Sequence, residues 1–219
     1  MHRLIQLLKR YRHYRQYQKL LKYRKYSRYG ADFRSIARIK EYIKDCIYLI
    51  VLRVFYIFPI KKNRVMFMSF EAGKYACNPR RISEYLAKNY PDDVEIIWAF
   101  KGANNFRWLA DWGVSKTVEY GTFSFYRYAL SSRVFVYNMR IPAMIPFRKT
   151  TIGTGHGGGA YKKLLLDNPS IRTSDQKIQE LSASHTDILV SSCKYYTKYV
   201  VRGAFAHKGE CLECGMPRN

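Results

Sequence analysis

The amino-acid sequence predicts an α/β fold, in which a parallel sheet wrapped by helices is preceded by a basic, partly apolar helical extension. Two observations support this prediction. From residue 63 onward, short apolar segments alternate with helical segments over short connections, which is typical of parallel sheets. Before residue 63, Lys and Arg outnumber Asp and Glu by 17 to 3, whereas the other residues hold 22 against 13. We therefore expect two parts, residues 1–62 and residues 63–219.

The composition excludes several classes of protein. With 219 residues, of which 47% are hydrophobic and 16% aromatic, the chain can bury a sizeable core, which excludes wholesale disorder. Five cysteines are too few, and odd in number, for a disulfide-stapled secreted fold. The formal net charge of +23 predicts a polyanionic partner, such as nucleic acid, an anionic lipid surface or a phosphate-rich substrate.

The basic extension begins with a run of Lys, Arg, Tyr, Leu and Gln over residues 3–29, without Pro or Gly. Tyr11, Tyr14 and Tyr17 are three apart, so one helix face can carry them. One interpretation is a solvated helix or a disordered arm. The other is a surface helix whose tyrosines lie among lipid headgroups and whose cations meet lipid phosphates.

An apolar segment, residues 46–60, closes the extension and contains Arg53 as its single charge. As a helix it spans roughly 22 Å, less than the roughly 30 Å of a bilayer core. It is therefore a monotopic or re-entrant helix or a buried core helix, and the basic run beside it favours membrane contact, with Arg53 and Phe55 among the contacting residues. Because no signal-peptide pattern is present, we expect peripheral attachment to the cytoplasmic face of the cell membrane.

The elements of the α/β part follow in order after Pro59, which ends the apolar segment. Apolar runs predict strands at 64–70, 94–100, 115–119, 133–137, 149–154, 187–191 and 210–214. Helices are predicted at 79–89, 104–112, 122–131, 175–184 and 193–202. Pro79 suits a first helical turn. In such sheets ligands bind at the carboxyl ends of the strands.

A glycine-rich turn at one of these strand ends holds the strongest candidates for chemistry. His156 stands where a general base would be placed, although a loop histidine held by its own backbone bonds is the alternative. Backbone N–H groups of three successive glycines and two nearby lysines suit an anion: Gly157, Gly158, Gly159, Lys162 and Lys163. The spacing fits neither a Walker A loop nor a dinucleotide fingerprint.

Three segments together carry a resemblance to a known family. Thr154, His156-Gly157 and the lysine pair form a His-Gly signature, with Gly155 where the family has Trp. Residues 69–80 read SFEAGKYACNPR, which is similar to the family's Gly-Lys-x-Tyr-x-x-Asn-Pro loop, and residues 215–219 read Gly-x-Pro-Arg-Asn. In this order the motifs resemble the CDP-glycerol:poly(glycerol phosphate) glycerophosphotransferase family, the teichoic acid polymerases and primases, over roughly residues 60–219.

The resemblance implies a GT-B architecture, two Rossmann-like domains facing each other across a cleft. Residues 63–219 would be the first, acceptor-side domain. Most contacts to the CDP-linked donor would lie in a second domain beyond Asn219, so we expect this chain to be a truncated or inactive half.

The resemblance also implies a bacterial transferase of cell-wall teichoic acid biosynthesis. It would move glycerol phosphate from CDP-glycerol to a lipid-linked polyol phosphate acceptor and release CMP, with the donor as substrate and no cofactor. His156 would be the base. Lys74, Arg80 and Arg218 would bind the acceptor phosphate, with plain surface charges as the alternative.

Other functions stay open. The donor could be CDP-ribitol, or the chain could be a non-catalytic basic module for RNA or anionic lipid. Because the charge is concentrated in the extension and no RRM or KH pattern is present, we expect no nucleic acid partner. Cys211 and Cys214, with His207 nearby, lack the remaining ligands of a zinc site, so we expect packing cysteines and no metal.

Overall fold

The computed structural model describes residues 58–139, 150–157, 159, 163–171 and 173–219. Residues Ile60–Asn219 form one compact unit. Its sheet has seven strands, all paired in parallel: β1 (Lys61–Met68), β2 (Glu95–Phe100), β3 (Lys116–Glu119), β4 (Ser132–Tyr137), β5 (Thr150–Gly153), β6 (Ile188–Ser191) and β7 (Glu210–Glu213). The predicted α/β class with a parallel sheet is confirmed.

Helical segments lie between the strands, except in the connection from β4 to β5, most of which is outside the described residues. The α-helices are α1 (Cys77–Asn89), α2 (Phe123–Ser131), α3 (Thr173–Ser184) and the short α4 (Lys194–Tyr196), which continues as a π-helix over Thr197–Ala204. The helix predicted near 104–112 is a 3₁₀ helix, Ala103–Trp112, and a further short 3₁₀ helix spans Leu165–Asp167. The positions of the longer helical segments were thus predicted correctly, but the helix types, 3₁₀ and π, were not.

The strand order is β3-β2-β1-β4-β5-β6-β7. The chain therefore builds the sheet in one direction from β1 to β3, and then returns to the other side of β1 with β4. Between β1 and β4 the order reverses, and the crevice outside the carboxyl ends of such a pair is the usual ligand position in open α/β sheets.

An aromatic core covers one side of this sheet. Trp98 on β2 is fully buried and stacks between Phe67 and Phe100, with both ring centroids 5.4 Å away. Its indole Nε1 donates a hydrogen bond of 2.9 Å to Ser83 Oγ on α1. Burial on both faces explains why these strands read as continuous apolar runs.

The first strand begins earlier than the sequence predicts. β1 starts at Lys61, so the polar residues 61–63 belong to the strand. Arg64 lies directly opposite Glu95 in the register of β1 and β2 and binds it with Nε–Oε2 and Nη2–Oε1 distances of 2.9 and 3.0 Å. Lys61 Nζ lies 3.4 Å from the same carboxylate. Glu95 thus neutralises the charges of Lys61 and Arg64, which allows these polar residues to be part of the strand.

The basic extension lies outside the described residues, except for its last few positions. The predicted membrane contacts Tyr11, Tyr14, Tyr17, Arg53 and Phe55 are therefore outside it too. Within the part of the chain that the structure describes, none of the helices has both the length and the apolar character needed to span a bilayer.

Candidate functional site

The carboxyl edge of the sheet brings together the ends of three strands. Phe70 follows β1, Asn138 follows β4, and the segment Thr154–His156 follows β5. β1, β4 and β5 are neighbours in the sheet, and the first two flank the point where the strand order reverses. His156 thus lies at the carboxyl edge, where the sequence analysis placed it.

The His156 ring is exposed and is oriented by one main-chain contact. Its Nδ1 lies 3.3 Å from the carbonyl oxygen of Asn138, and its ring centroid lies 5.9 Å from that of Phe70. Because a carbonyl oxygen only accepts, Nδ1 carries the proton of this bond. The neutral ring then has its lone pair on Nε2, which is the arrangement that a general base requires.

A left-handed turn follows β1 beside this ring. Phe70, Glu71 and Ala72 have φ values of +48°, +54° and +68°, which residues other than glycine rarely adopt. The Phe70 N–H donates to Asn138 Oδ1 at 2.8 Å, and the Ala72 carbonyl accepts from Lys101 N–H at 2.7 Å. Strained backbone of this kind persists where surrounding contacts hold it, commonly at functional sites.

Side chains from distant segments hold the loop that carries His156. The Asn78 amide donates to the carbonyls of Thr154 and Gly155, at 2.9 and 3.1 Å. Arg218 Nη1 donates to the carbonyl of His156 at 3.0 Å. The Thr154 N–H in turn donates to the Tyr137 carbonyl at 2.7 Å, which fixes the loop to the end of β4.

The structure describes only part of the predicted anion-binding set. Gly157 and Gly159 follow His156 within three residues, and Lys163 is exposed. Gly158 and Lys162 are outside the described residues. Lys74 is exposed, and its Nζ lies 5.9 Å from the centroid of the Phe70 ring that neighbours His156.

Arg80 already has an anionic partner. Its Nε lies 2.6 Å from Glu84 Oε1, and its guanidinium lies 5.4 Å from the centre of the Tyr75 ring. Partial burial raises the pKa of Glu84, but hydrogen bonds from Arg80 and Arg81 outweigh it and hold that pKa below its usual value. Glu84 is therefore ionised at neutral pH and neutralises part of the charge that Arg80 offers to a phosphate.

The cysteine pair near the end of the chain has no metal-like surroundings. Cys211 and Cys214 carry free thiols, and His207 Nε2 donates to the Glu210 carbonyl at 2.9 Å. Among the residues that the structure describes, no three His, Cys, Asp or Glu side chains cluster as metal ligands would.

Three residues of this site were missed as functional candidates in the sequence. Asn78 was noticed only as part of a motif, and neither Phe70 nor Asn138 was singled out. A usable signal existed for Asn138, because a polar residue directly after a buried strand lies at the ligand-binding edge of a parallel sheet. For the other two, the contacts cross 68 or more residues of sequence, which local patterns do not encode.

Comparison with known proteins bears on the whole compact unit. The model of a protein family described as CDP-Glycerol:Poly(glycerophosphate) glycerophosphotransferase matches residues 50–219. A teichoic acid poly(glycerol phosphate) polymerase from Bacillus spizizenii is 32% identical over 182 residues, which cover 79% of this chain and 45% of that one. A teichoic acid glycerol-phosphate transferase from Staphylococcus aureus is 27% identical over 169 residues, covering 72% and 41%.

Solved structures agree on the fold. One structure of the wall teichoic acid polymerase TagF, a variant soaked with CDPG, superposes with a TM-score of 0.67 at 23% identity and covers 86% of this chain and 49% of that one. Another structure of TagF gives a TM-score of 0.63 at 24% identity, covering 85% and 47%. The chain spans about half the length of these structures and less than half of the curated relatives.

Proposed function

The chain belongs to the CDP-glycerol:poly(glycerophosphate) glycerophosphotransferase family, and from this we propose that it forms the acceptor-side domain of a transferase that extends a teichoic-acid-type polymer. The enzyme moves glycerol phosphate from CDP-glycerol to a lipid-linked polyol phosphate acceptor. Glycerol is a better candidate than ribitol, because the names of both relatives above specify glycerol phosphate.

The proposed reaction is a phosphoryl-type transfer. The terminal hydroxyl of the acceptor attacks the β-phosphorus of CDP-glycerol and forms the new phosphorus–oxygen bond. The bond from that phosphorus to the bridging oxygen breaks, and CMP leaves with the electron pair. Such transfers depend mainly on positioning and on neutralising the charge of the phosphate oxygens.

The observation that carries the proposal is the state of His156. Its Nδ1 donates to the Asn138 carbonyl, so Nε2 of this exposed residue carries the lone pair that would accept the proton of the attacking hydroxyl. The ring lies at the carboxyl edge beside the reversal in strand order, where ligands of this fold class bind.

Phosphate oxygens would be met by main-chain N–H groups and by cationic side chains. The backbone N–H groups of Gly157–Gly159 and the charges of Lys162, Lys163 and Lys74 are the proposed donors. Arg218 still has N–H groups to offer beyond the one bound to His156. Arg80 is the weakest of these candidates, since Glu84 already pairs with it.

We place the enzyme on the cytoplasmic face of the membrane, because that leaflet is the anionic one. The support is the sequence of residues 1–60, with its tyrosine-interleaved cations followed by an apolar segment. No cofactor is part of the proposal, because the donor nucleotide supplies the leaving group.

The test measures CMP release from CDP-glycerol in the presence of a lipid-linked acceptor. It compares the 219-residue chain with a chimera in which these residues replace the matching part of the Bacillus spizizenii polymerase. We expect the chimera to turn over and the 219-residue chain not to. Without the donor domain, the phosphates of CDP-glycerol would lie in water, where charge stabilisation is weak. In the chimera, His156→Ala should lower turnover by about 10²–10⁴-fold with the fold intact. An unchanged rate would remove His156 from the mechanism.

A further inference from the structure

Three consecutive carbonyl groups of the His156 loop are held by two side chains that lie far away in the sequence. Asn78, 76 residues before Thr154, binds the first two carbonyls, and Arg218, 62 residues after His156, binds the third. We propose that Asn78 and Arg218 are positioning residues, which fix the main chain of the loop and thereby the direction of the His156 ring.

The Asn78 amide is fully used in this arrangement. The side chain is completely buried at the start of α1. Its Nδ2 donates to the carbonyls of Thr154 and Gly155, and its Oδ1 accepts from the Arg218 N–H at 3.2 Å. Because carbonyls only accept and an N–H only donates, a single orientation of the amide satisfies these bonds. Asn78 therefore couples the loop directly to the segment that carries Arg218.

The backbone is left-handed on both sides of the Asn78 contact. Gly155 has a φ of +60°, and Cys77, which precedes Asn78, has a φ of +63°. Glycine adopts this conformation without strain, whereas for Cys77 it is unfavourable in the isolated chain and persists where tertiary bonds specify it. The two Asn78 bonds and the Arg218 bond connect this strained position and the loop to each other and to the end of the chain.

Positioning the main chain also positions the ring. Among the described residues, the His156 ring makes one hydrogen bond, the 3.3 Å contact from Nδ1 to the Asn138 carbonyl. This contact is already long, so a small displacement of the His156 main chain breaks it. The ring would then lose the bond that keeps the proton on Nδ1 and the lone pair on Nε2. The consequence for catalysis rests on the proposed function, whereas the consequence for the tautomer does not.

A second histidine provides an internal control. Arg202 Nη1 donates to the carbonyls of His207 and Gly209, at 2.7 and 2.8 Å, which is the same kind of support at a distant position. The His207 ring donates from Nε2 to the Glu210 carbonyl, so it has the opposite tautomer to His156. One spectrum of the full chain labelled with ¹⁵N-histidine therefore reports both rings, and His156→Ala and His207→Gln assign them.

The spectra are recorded at about pH 9, where a free imidazole is neutral. Arg218→Ala should move the ¹⁵N shifts of His156 from the Nδ1–H pattern towards the mixture of a free ring and leave His207 unchanged. Arg202→Ala should change His207 and leave His156 unchanged. Arg218→Lys, which keeps a cationic donor, should stay closer to the wild-type spectrum than Arg218→Ala. Substitution of the buried Asn78 can destabilise the whole fold, whereas substitution of the exposed Arg218 should not. Arg218→Ala is therefore the decisive variant, and Asn78→Asp is a supporting one.

In the chimera, Arg218→Ala should lower kcat by about 10²-fold, the size expected when a catalytic group is misplaced by about 1 Å, and loss of its proposed phosphate contact would raise KM in addition. Arg202→Ala should leave both unchanged. Wild-type His156 shifts in Arg218→Ala would overturn the positioning role. If instead His156→Ala keeps full turnover, the proposed base is wrong, and the tautomer measurement still decides the positioning role because it needs no substrate.

Discussion

At the scale of single residues, Gly155 shows how the loop backbone selects its side chains. Its φ is +60°, and a Cβ atom there would meet Tyr196 Oη only at 3.8 Å, an ordinary contact. The position therefore has room for a side chain but not the backbone conformation for one. Gly155 departs from the Trp of the family signature, and in this chain the departure suits the left-handed backbone.

Gly155→Ala should accordingly lower the free energy of unfolding by about 1–2 kcal/mol, the cost of a left-handed L-residue. Urea denaturation measures this cost. Gly157→Ala is the matched control, because that glycine has no left-handed φ and an added Cβ would have no atom of the described, non-adjacent residues within 4 Å. It should be neutral or slightly stabilising. Equal losses in both variants would contradict the strain argument.

The ion pair of Arg64 and Glu95 is the second feature at this scale. Arg64 is 6% exposed, and besides Glu95 it binds Ser131 Oγ and packs 4.7 Å from the centre of the Tyr128 ring. Burial raises the pKa of Glu95, but the hydrogen bonds and charge of Arg64, helped by Lys61, outweigh it and lower that pKa below its ordinary value.

Glu95→Ala should lower the free energy of unfolding by about 1.5–3 kcal/mol at pH 7, because it leaves a buried guanidinium without its anion. A carboxyl whose pKa is lowered by folding stabilises the fold above its unfolded pKa, about 4.3, and this contribution is lost as the pH falls through the folded value. The difference between wild type and variant should thus shrink below about pH 4. Glu180→Ala, at an exposed position, should change stability by less than about 0.5 kcal/mol at either pH.

At the scale of elements, the 3₁₀ helix Ala103–Trp112 begins at a carboxylate supplied from β3. Glu119 Oε1 accepts from the Gly102 N–H at 3.0 Å, and Oε2 accepts from the Ala103 N–H at 2.7 Å. These backbone bonds lower the pKa of Glu119. The cap lies outside the helix sequence itself, so a search for a capping residue just before Ala103 does not find it.

Glu119→Ala should lower Tm by a few degrees and speed hydrogen exchange of the amides at Gly102 and Ala103. By the same linkage, the lowered pKa means that the contribution is present at neutral pH and is lost under acid conditions, as the carboxyl takes up a proton. Asp111→Ala, in the last turn of the same helix, is the control and should not affect exchange at these two amides. Unchanged exchange in Glu119→Ala would exclude the capping role.

At the scale of the whole molecule, the question is what residues 1–60 do. We expect their deletion to move the protein from the membrane to the soluble fraction. High salt should release the intact chain only in part, because screening weakens attraction to lipid charges but not apolar burial. Complete release by salt would mean that residues 46–60 are core.

Binding to anionic liposomes but not to RNA at about 150 mM salt would separate the membrane function from the RNA alternative.

The sequence by itself determined the order and type of the main elements and the family. Strands buried on both faces must be apolar along their length, so the segments that became β2 and β4 were readable within one or two residues. Pro79 and the glycine-rich turn mark backbone conformations that few residues favour. The position of His156 at the carboxyl edge followed from chain order alone.

Only the tertiary structure decided how that edge works as a site. The tautomer of His156 depends on the Asn138 carbonyl, and the loop depends on Asn78 and Arg218, which are 140 residues apart and bonded to each other. The left-handed turn at Phe70–Ala72 contains no glycine, so no local signal announces it. The physical reason is common to all three. Local propensity acts over a few residues, whereas these conformations are stabilised by hydrogen bonds that exist only after distant strands have met.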